Sequence, residues 1–143
     1  MRFLIDTHVW LWAVGEPERL RSSAVDLIVA AENSVVFSVA SAWEIAIKVS
    51  RRRLHLPEAV DDYLLSRLRI LSMTVLPVQL PHALRVAHLA HHHADPFDRL
   101  LIAQCQSEGL PLMTADAALA AYDVEILWAG RGRPPRRRRR ATL

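Results

Sequence analysis

The chain has little of what marks disulfide-stabilised, collagen-like or membrane-spanning proteins. It has 143 residues, of which one is cysteine, four are glycine and 6% are aromatic. The single Cys105 excludes an internal disulfide and favours a reducing, cytoplasmic location. No apolar run is long enough to cross a bilayer, and Asp6 and His8 interrupt the apolar start too early for a signal peptide. We therefore expect no membrane association.

The sequence does contain enough apolar residues for one packed domain. Its hydrophobic content is 52%, and its length suits a single core. The formal net charge is +3, but seven of the 18 basic residues are arginines within 131–143. Without those seven, 11 basic residues face 15 acidic ones, so residues 1–130 carry about −4. We predict a mildly acidic domain over 1–130 and an Arg-rich flexible tail over 131–143.

Short β-branched runs alternate with longer runs of helical periodicity. Strands are predicted at 2–5, 34–38, 74–78, 111–114 and 124–128. Helices are predicted at 7–14, 20–31, 58–69, 80–90, 96–108 and 117–121, with a further one from Ser38 or Ser41 to about Arg52. Asp95 fits the N-cap of the helix at 96–108, and Gly109 fits the position just past its end. Strands separated by helices predict an α/β fold with a parallel sheet.

Four acidic residues lie where such a fold would bring them together. Asp6 ends the first strand, Asp116 follows the fourth, and Asp98 and Glu44 lie in the first halves of two helices. Ligands of an open parallel sheet bind beyond the carboxyl ends of its strands, so we expect all four to face one crevice. Gathered carboxylates favour a hard cation such as Mg²⁺ or Mn²⁺, which supports hydrolysis of a phosphodiester.

Each acid also has a purely structural alternative. Asp6 and Asp116 could cap the helices that follow them, and Asp98 could stabilise the positive end of its helix. Glu44 could complete a capping box with Ser41. No single position is specific, so the prediction depends on the joint placement of the four.

Four segments have distinctive sequences in a fixed order: FLIDTH at 3–8, SAWEIAIK at 41–48, DPFDRLLIA at 95–103 and LMTAD at 112–116. In these segments the chain resembles the PIN-domain ribonucleases, specifically the VapC-type toxins of bacterial toxin–antitoxin pairs. The match extends from about residue 1 to 128. It implies a three-layer α/β/α sandwich whose central, mainly parallel sheet has about five strands. It also implies Mg²⁺ or Mn²⁺, endonucleolytic RNA cleavage, inhibition by a small antitoxin, and a homodimer.

The resemblance assigns roles to individual acids. Asp6, Glu44 and Asp98 match the core acidic positions, and Asp116 matches a fourth that varies more across the family. It implies that Asp6 and Asp98 bind the metal, with Glu44 and Asp116 acting directly or through water. His8 stands where many relatives have Asn or Ser, so its role is open.

Neighbouring polar residues are candidates for auxiliary roles. Thr7 and Thr114 lie beside acids and could hydrogen-bond a carboxylate or a water, or cap a turn instead. Lys48 could neutralise the acidic cluster or bind a phosphate, or form an exposed ion pair with Glu44.

Basic residues offer candidate RNA contacts. Arg51 and Arg52 could touch the RNA backbone or lie at a solvated helix end, and Arg99 could hold RNA or brace Asp95. The tail could add salt-dependent affinity for phosphates, or serve solubility alone.

Histidine and tryptophan residues admit milder interpretations. The run His91-His92-His93 looks like a metal tract, but consecutive helical residues cannot face one ion, so we expect a solvated loop. The tryptophans are expected in the core or a dimer interface rather than as base-stacking platforms: Trp10, Trp12, Trp43 and Trp128.

Two other functions compete with a metal-dependent endoribonuclease. One is a non-catalytic PIN-fold module that binds RNA or protein, against which the presence of all four acids argues. The other is a phosphatase with Asp6 as nucleophile. The haloacid-dehalogenase pattern has a second Asp two positions later, where this chain has His8.

Overall fold

The computed structural model describes residues 1–136, so residues 137–143 of the expected tail lie outside the described part. Five strands are present: β1 (Arg2–Ile5), β2 (Ser34–Ser38), β3 (Thr74–Leu76), β4 (Leu112–Thr114) and β5 (Ile126–Trp128). Six α-helices accompany them: α1 (Thr7–Gly15), α2 (Ser22–Val29), α3 (Val39–Ser50), α4 (Val60–Ile70), α5 (Leu80–Arg85) and α6 (Pro96–Glu108). Within residues 1–136, none of these helices combines the length and apolarity needed to span a membrane.

The strands form one parallel sheet in the order β3-β2-β1-β4-β5. Successive side chains of the central β1 point to opposite faces, as in any strand. Phe3 and Ile5 pack with residues of α1, α2, α3 and α4, whereas Leu4 packs with residues of α6. Helices therefore cover both faces of the sheet, which confirms the predicted α/β/α sandwich.

Helix boundaries follow the local capping signals. Asp95 Oδ1 accepts hydrogen bonds from the amides of Phe97 and Asp98, which start α6. Gly109 ends α6 in the left-handed conformation, at a φ of 67° that glycine adopts without strain. Ser38, rather than Ser41, caps α3, so the expected capping box of Ser41 with Glu44 is wrong.

Three predicted helices are clearly shorter than expected, and the first of them, at 20–31, spans only Ser22–Val29. The helix at 80–90 breaks after Arg85 into a 3₁₀ turn at Val86–His88. The Val86 carbonyl, which would accept the amide of residue 90 in an α-helix, lies 3.3 Å from a guanidinium nitrogen of Arg99 instead. The helix at 117–121 is only a 3₁₀ turn at Leu119–Ala121, because the Asp116 carboxylate accepts the Ala118 amide and holds a tight turn.

The expected tail begins with contacts to the domain. Gly130 pairs with Leu20 in an isolated antiparallel bridge. Arg131 Nε lies 3.4 Å from the Leu20 carbonyl oxygen, and Trp128 Nε1 donates to the Gly132 carbonyl at 3.1 Å. The domain boundary at 130 stays a prediction, with two tail residues resting on the domain surface.

Candidate active site

Two adjacent strands deliver acids to the same edge of the sheet. β1 ends at Ile5 and is followed by Asp6, and its neighbour β4 ends at Thr114, two residues before Asp116. The Asp6 amide continues the pairing by donating to the Met113 carbonyl at 2.9 Å. The parallel arrangement therefore brings Asp6 and Asp116 to one crevice at the carboxyl ends of the strands.

Two helices supply the other acids. Asp98 lies in the first turn of α6, and Glu44 lies in the first half of α3. All four acids line one cavity of about 410 Å³, and so do Thr7, His8, Trp12, Lys48 and Asp95. The structure thus brings together the four acids that the sequence places at separate elements.

Thr114 links the two strand-end acids. Its side chain is fully buried, and its Oγ1 donates to Asp6 Oδ2 at 2.8 Å. The same oxygen accepts the Asp116 amide at 3.0 Å. Thr114 thus makes the expected hydrogen bond to a carboxylate and also shapes the turn after β4, so both alternatives for this residue hold.

Thr7 behaves differently from its expected role. It is buried, and its Oγ1 donates to Ser41 Oγ at 2.7 Å rather than to an acid. This bond joins the start of α1 to α3. It fixes the helix carrying Glu44 against the strand end carrying Asp6, so the effect of Thr7 on the acids is indirect.

The electrostatics of the cavity disfavour its carboxylates in their charged form. Burial raises the pKa of Asp98 to about 8, and the charges of Asp6 and Asp95 add to the shift. Burial also raises the pKa of Asp6 to about 6, although the hydrogen bond from Thr114 acts in the opposite direction. Part of the acidic cluster is therefore protonated at neutral pH unless positive charge enters the cavity.

Glu44 tests whether the cavity suits a cation. Its Oε2 accepts a hydrogen bond from Lys48 Nζ at 2.7 Å. Its Oε1 is buried and has no hydrogen-bond partner among residues 1–136. A buried carboxylate oxygen without a partner costs free energy, which a bound cation would recover. The donor set is rich in oxygens, which Mg²⁺ and Mn²⁺ prefer, so the residues fit such an ion.

His93 is a functional candidate that sequence reasoning missed. The expectation of a loop at 91–93 is right, and His91 and His92 are exposed. His93, however, points inward, with its Nε2 3.0 Å from Asp116 Oδ2 and 3.3 Å from Asp98 Oδ2. The expectation of a wholly solvated tract is therefore wrong. One residue of the run can face the site while its neighbours face solvent, and only the position of His93 two residues before the Asp95 cap hinted at this.

Arg99 supports the loop before α6. Its side chain is buried, and the guanidinium donates to the Ala90 carbonyl at 2.9 Å and to the Tyr122 hydroxyl at 3.1 Å. Arg99 does not line the cavity of the four acids, and its contact with RNA stays a prediction. The alternative, that its side chain braces Asp95, finds no side-chain contact within residues 1–136. Arg99 instead ties the loop before α6 to the core.

The remaining basic and aromatic candidates are dispersed. Arg51 and Arg52 are exposed at the end of α3 and do not line the cavity, so their contact with RNA stays a prediction.

Trp10 is fully buried, as expected for a core residue. Trp43 is 60% exposed, with its ring edge-on to Phe97. The other two tryptophans are half-buried: Trp12, in the cavity wall, and Trp128, on β5.

Comparison of the sequence with known proteins shows the family to which the chain belongs. The sequence matches the family model of the PIN domain over residues 3–125. The chain therefore belongs to the PIN-domain family, which confirms the resemblance seen in its four segments. No curated protein sequence matches the chain.

Solved structures share the fold at low sequence identity. A chain of the VapBC2 complex from Rickettsia felis, bound to a promoter DNA fragment, superposes with a TM-score of 0.71 and 14% identity; the alignment covers 90% of this chain and 99% of that one. A chain of FitAB bound to the IR36 DNA fragment gives 0.62 and 20%, covering 90% and 94%. FitAcB from Neisseria gonorrhoeae gives 0.57 and 23%, covering 89% and 96%.

The raised pKa values predict how stability depends on pH in metal-free protein. In the unfolded chain Asp6 and Asp98 ionise near 3.8, whereas in the folded chain they ionise near 6 and 8. Their contribution to stability is therefore full below about pH 3.8 and is lost as pH rises through 6 and 8. With chelator present, we expect wild type to lose on the order of 1 kcal/mol or more relative to Asp98→Asn between about pH 5 and 9.

Urea unfolding of both proteins across that range measures this difference. Asp26→Asn, an exposed change on α2, serves as the control and should follow wild type. If the wild-type and Asp98→Asn stability curves run parallel from pH 5 to 9, the electrostatic account of Asp98 is wrong.

Proposed function

We propose that this chain is a metal-dependent endoribonuclease that hydrolyses RNA phosphodiester bonds as the toxin of a toxin–antitoxin pair. The observation that carries the proposal is the convergence of four acids on one cavity in which Glu44 Oε1 is buried without a partner among residues 1–136. Membership of the PIN-domain family supports the nuclease chemistry. The alternative, a PIN-fold module that binds RNA or protein without cutting, does not explain why the chain keeps all four acids in a strained electrostatic arrangement.

The acids would hold Mg²⁺ or Mn²⁺, with Asp6 and Asp98 as direct ligands and Glu44 and Asp116 binding directly or through water. When bound, such an ion lowers the pKa of a water, orients a phosphodiester and stabilises the departing oxygen. Thr114 contributes by fixing one oxygen of Asp6 through its 2.8 Å hydrogen bond.

Lys48 supplies a cation at the rim of the same cavity. Its side chain is 38% exposed, while Glu44, its partner, is 5% exposed. The ammonium group therefore compensates the buried carboxylate on one side and reaches solvent on the other, where a phosphate of the substrate could approach. The ion pair between Lys48 and Glu44 contributes little stability by itself. The more important effect of Lys48 is therefore that it positions the Glu44 carboxylate.

The central test replaces acids without changing their shape. We expect Asp6→Asn and Asp98→Asn each to reduce RNA cleavage about 100-fold or more, because ligands matter at least as much as the groups that support them. Cleavage of labelled total RNA in Mg²⁺, in Mn²⁺ and in EDTA provides the measurement. Asp26→Asn, on the exposed surface of α2, is the matched control and should cleave like wild type.

Two results would reject the nuclease proposal. One is full cleavage by both site variants, and the other is undiminished cleavage in EDTA. Tight RNA binding by wild type without any cleavage in Mg²⁺ or Mn²⁺ would instead favour the non-catalytic binding module.

Inhibition by an antitoxin forms a second part of the proposal. The solved neighbours with this fold include chains of VapBC2 and FitAB, and the chain resembles VapC-type toxins in its four sequence segments. The cavity here is acidic, so a partner could place an Arg or Lys side chain in it and compete with the metal. We expect the small protein encoded beside this chain to bind it and to lower both cleavage and Mn²⁺ binding.

Replacing the inserted Arg or Lys of that partner with Ala should restore cleavage while the complex persists. Calorimetric Mn²⁺ titration of the free chain and of the complex gives the comparison. A complex that keeps full metal binding and full activity would show that this mechanism of inhibition is wrong.

We also infer that the chain acts as a cytoplasmic homodimer. Apolar side chains on α4, on the edge strand β3 and on α5 are exposed, including Leu65, Val75, Leu80 and Leu84. We take these side chains as candidates for the dimer contact, because apolar side chains that form one exposed patch mark surfaces that pair with another protein. Sedimentation velocity over a wide concentration range should show a dimer, and Leu84→Glu should shift it toward monomer. A wild-type chain that stays monomeric at every concentration contradicts the inference.

A further inference from the structure

His93 brings an imidazole to the acidic cavity. Its Nε2 lies 3.0 Å from Asp116 Oδ2 and 3.3 Å from Asp98 Oδ2. The potential ligand atoms of these three residues lie within 4.8 Å of one another. The imidazole could therefore bind a cation itself, or it could support the two acids that do. The other ring nitrogen decides between these roles.

The hydrogen bond at Nδ1 fixes the tautomer of the ring. The Asp95 amide donates to His93 Nδ1 at 2.9 Å. An amide hydrogen needs a nitrogen with a free lone pair, so Nδ1 carries no hydrogen and the ring N–H is on Nε2. Nε2 then donates to Asp116 Oδ2 at 3.0 Å, while Asp98 Oδ2 lies 3.3 Å from Nε2 without a hydrogen bond between them. In this state Nε2 has no lone pair to offer a cation.

Metal binding by His93 would require a different tautomer. The hydrogen would have to move from Nε2 to Nδ1. There it would point at the hydrogen of the Asp95 amide, whose nitrogen lies only 2.9 Å from Nδ1. That change would lose the hydrogen bond from the Asp95 amide to Nδ1, at the residue that caps α6. It would also leave two N–H donors, the amide and Nδ1–H, facing each other. The local backbone therefore disfavours His93 as a ligand.

Buried groups aim the ring independently of any metal. The His93 and His92 amides lie 3.0 Å and 3.2 Å from the Tyr122 hydroxyl oxygen. Arg99 donates to that same oxygen at 3.1 Å and to the Ala90 carbonyl at 2.9 Å. The loop is thus held to the core at both its beginning and its middle, which leaves the imidazole one direction in which to point.

We propose that His93 is a positioning residue, whose Nε2–H holds the Asp116 carboxylate in place for the cation, beside Asp98, without binding the cation itself. The inference rests on the proposed function, because it takes the acids to be the metal site. Groups that hydrogen-bond to metal ligands fix their orientation, and their loss weakens metal affinity by about 10- to 100-fold. The four acids alone offer only oxygen donors, which suit Mg²⁺ and Mn²⁺ rather than softer ions.

Two substitutions separate the two hydrogen bonds of the ring. In His93→Asn the short amide can still accept the Asp95 amide hydrogen but cannot reach Asp116. We expect this variant to bind Mn²⁺ about 10- to 100-fold more weakly than wild type. In His93→Gln the longer amide can donate to Asp116, so its loss of affinity should be smaller. His91→Asn, an exposed change two residues away, is the matched control and should bind like wild type.

The probe is Mn²⁺ alone, followed by calorimetry and by electron paramagnetic resonance, with circular dichroism to confirm that each variant is folded. Wild type should show no directly bonded nitrogen in its Mn²⁺ spectrum. A nitrogen coupling that disappears in His93→Asn would make His93 a ligand and overturn the proposal. Equal Mn²⁺ affinity of wild type and His93→Asn would overturn the inference about His93 but not the proposed function. Failure of folded wild type to bind Mn²⁺ would overturn the proposed function as well.

Discussion

Repulsion among carboxylates at one edge of the sheet is the constraint on which the rest of the cavity depends. A parallel sheet delivers strand ends to a common crevice, and here the ends of β1 and β4 and the first halves of α3 and α6 carry an acid. Thr114, Lys48 and His93 each offer a hydrogen bond to one of these acids or more. The compensation is incomplete, because Asp98 has a pKa near 8 and Glu44 Oε1 has no partner among residues 1–136. The folded chain therefore has unfavourable electrostatic free energy at this cavity, and a bound divalent cation would reduce it.

Local signals were sufficient for the parts of the fold that position Asp6 and Asp98. The prediction of a buried apolar strand, Arg2–Ile5, followed directly by Asp6 required no knowledge of tertiary structure. Likewise, Asp95 as N-cap and Gly109 as C-terminal stop define α6, and with it the location of Asp98 in the first turn. These signals act over a few residues and are fixed by backbone hydrogen bonds, so they survive in almost any tertiary context. The convergence of the acids then followed from the parallel topology.

The orientations of His93 and Arg99 could not be predicted, because they are set by residues distant in the sequence. Both depend on the Tyr122 hydroxyl, which lies 29 positions after His93 and 23 after Arg99. No periodicity or cap relates these three positions, so the sequence does not show which of the two side chains faces the cavity. The fourth acid, Asp116, shows an intermediate case. Its carboxylate both lines the cavity and accepts the Ala118 amide, so its structural and functional interpretations are compatible rather than exclusive.

The bonds among Arg99, Tyr122 and His93 also connect the interior of the domain to its cavity. Arg99 holds the carbonyls of Val86 and Ala90, and through Tyr122 it supports the loop that aims His93 at Asp116. A substitution of Arg99 would therefore disturb the acids without any contact between Arg99 and RNA. Loss of cleavage in such a variant would be weak support for a role in substrate binding. Metal affinity is the more informative quantity, because displacement of the carboxylates lowers it whether or not RNA is present.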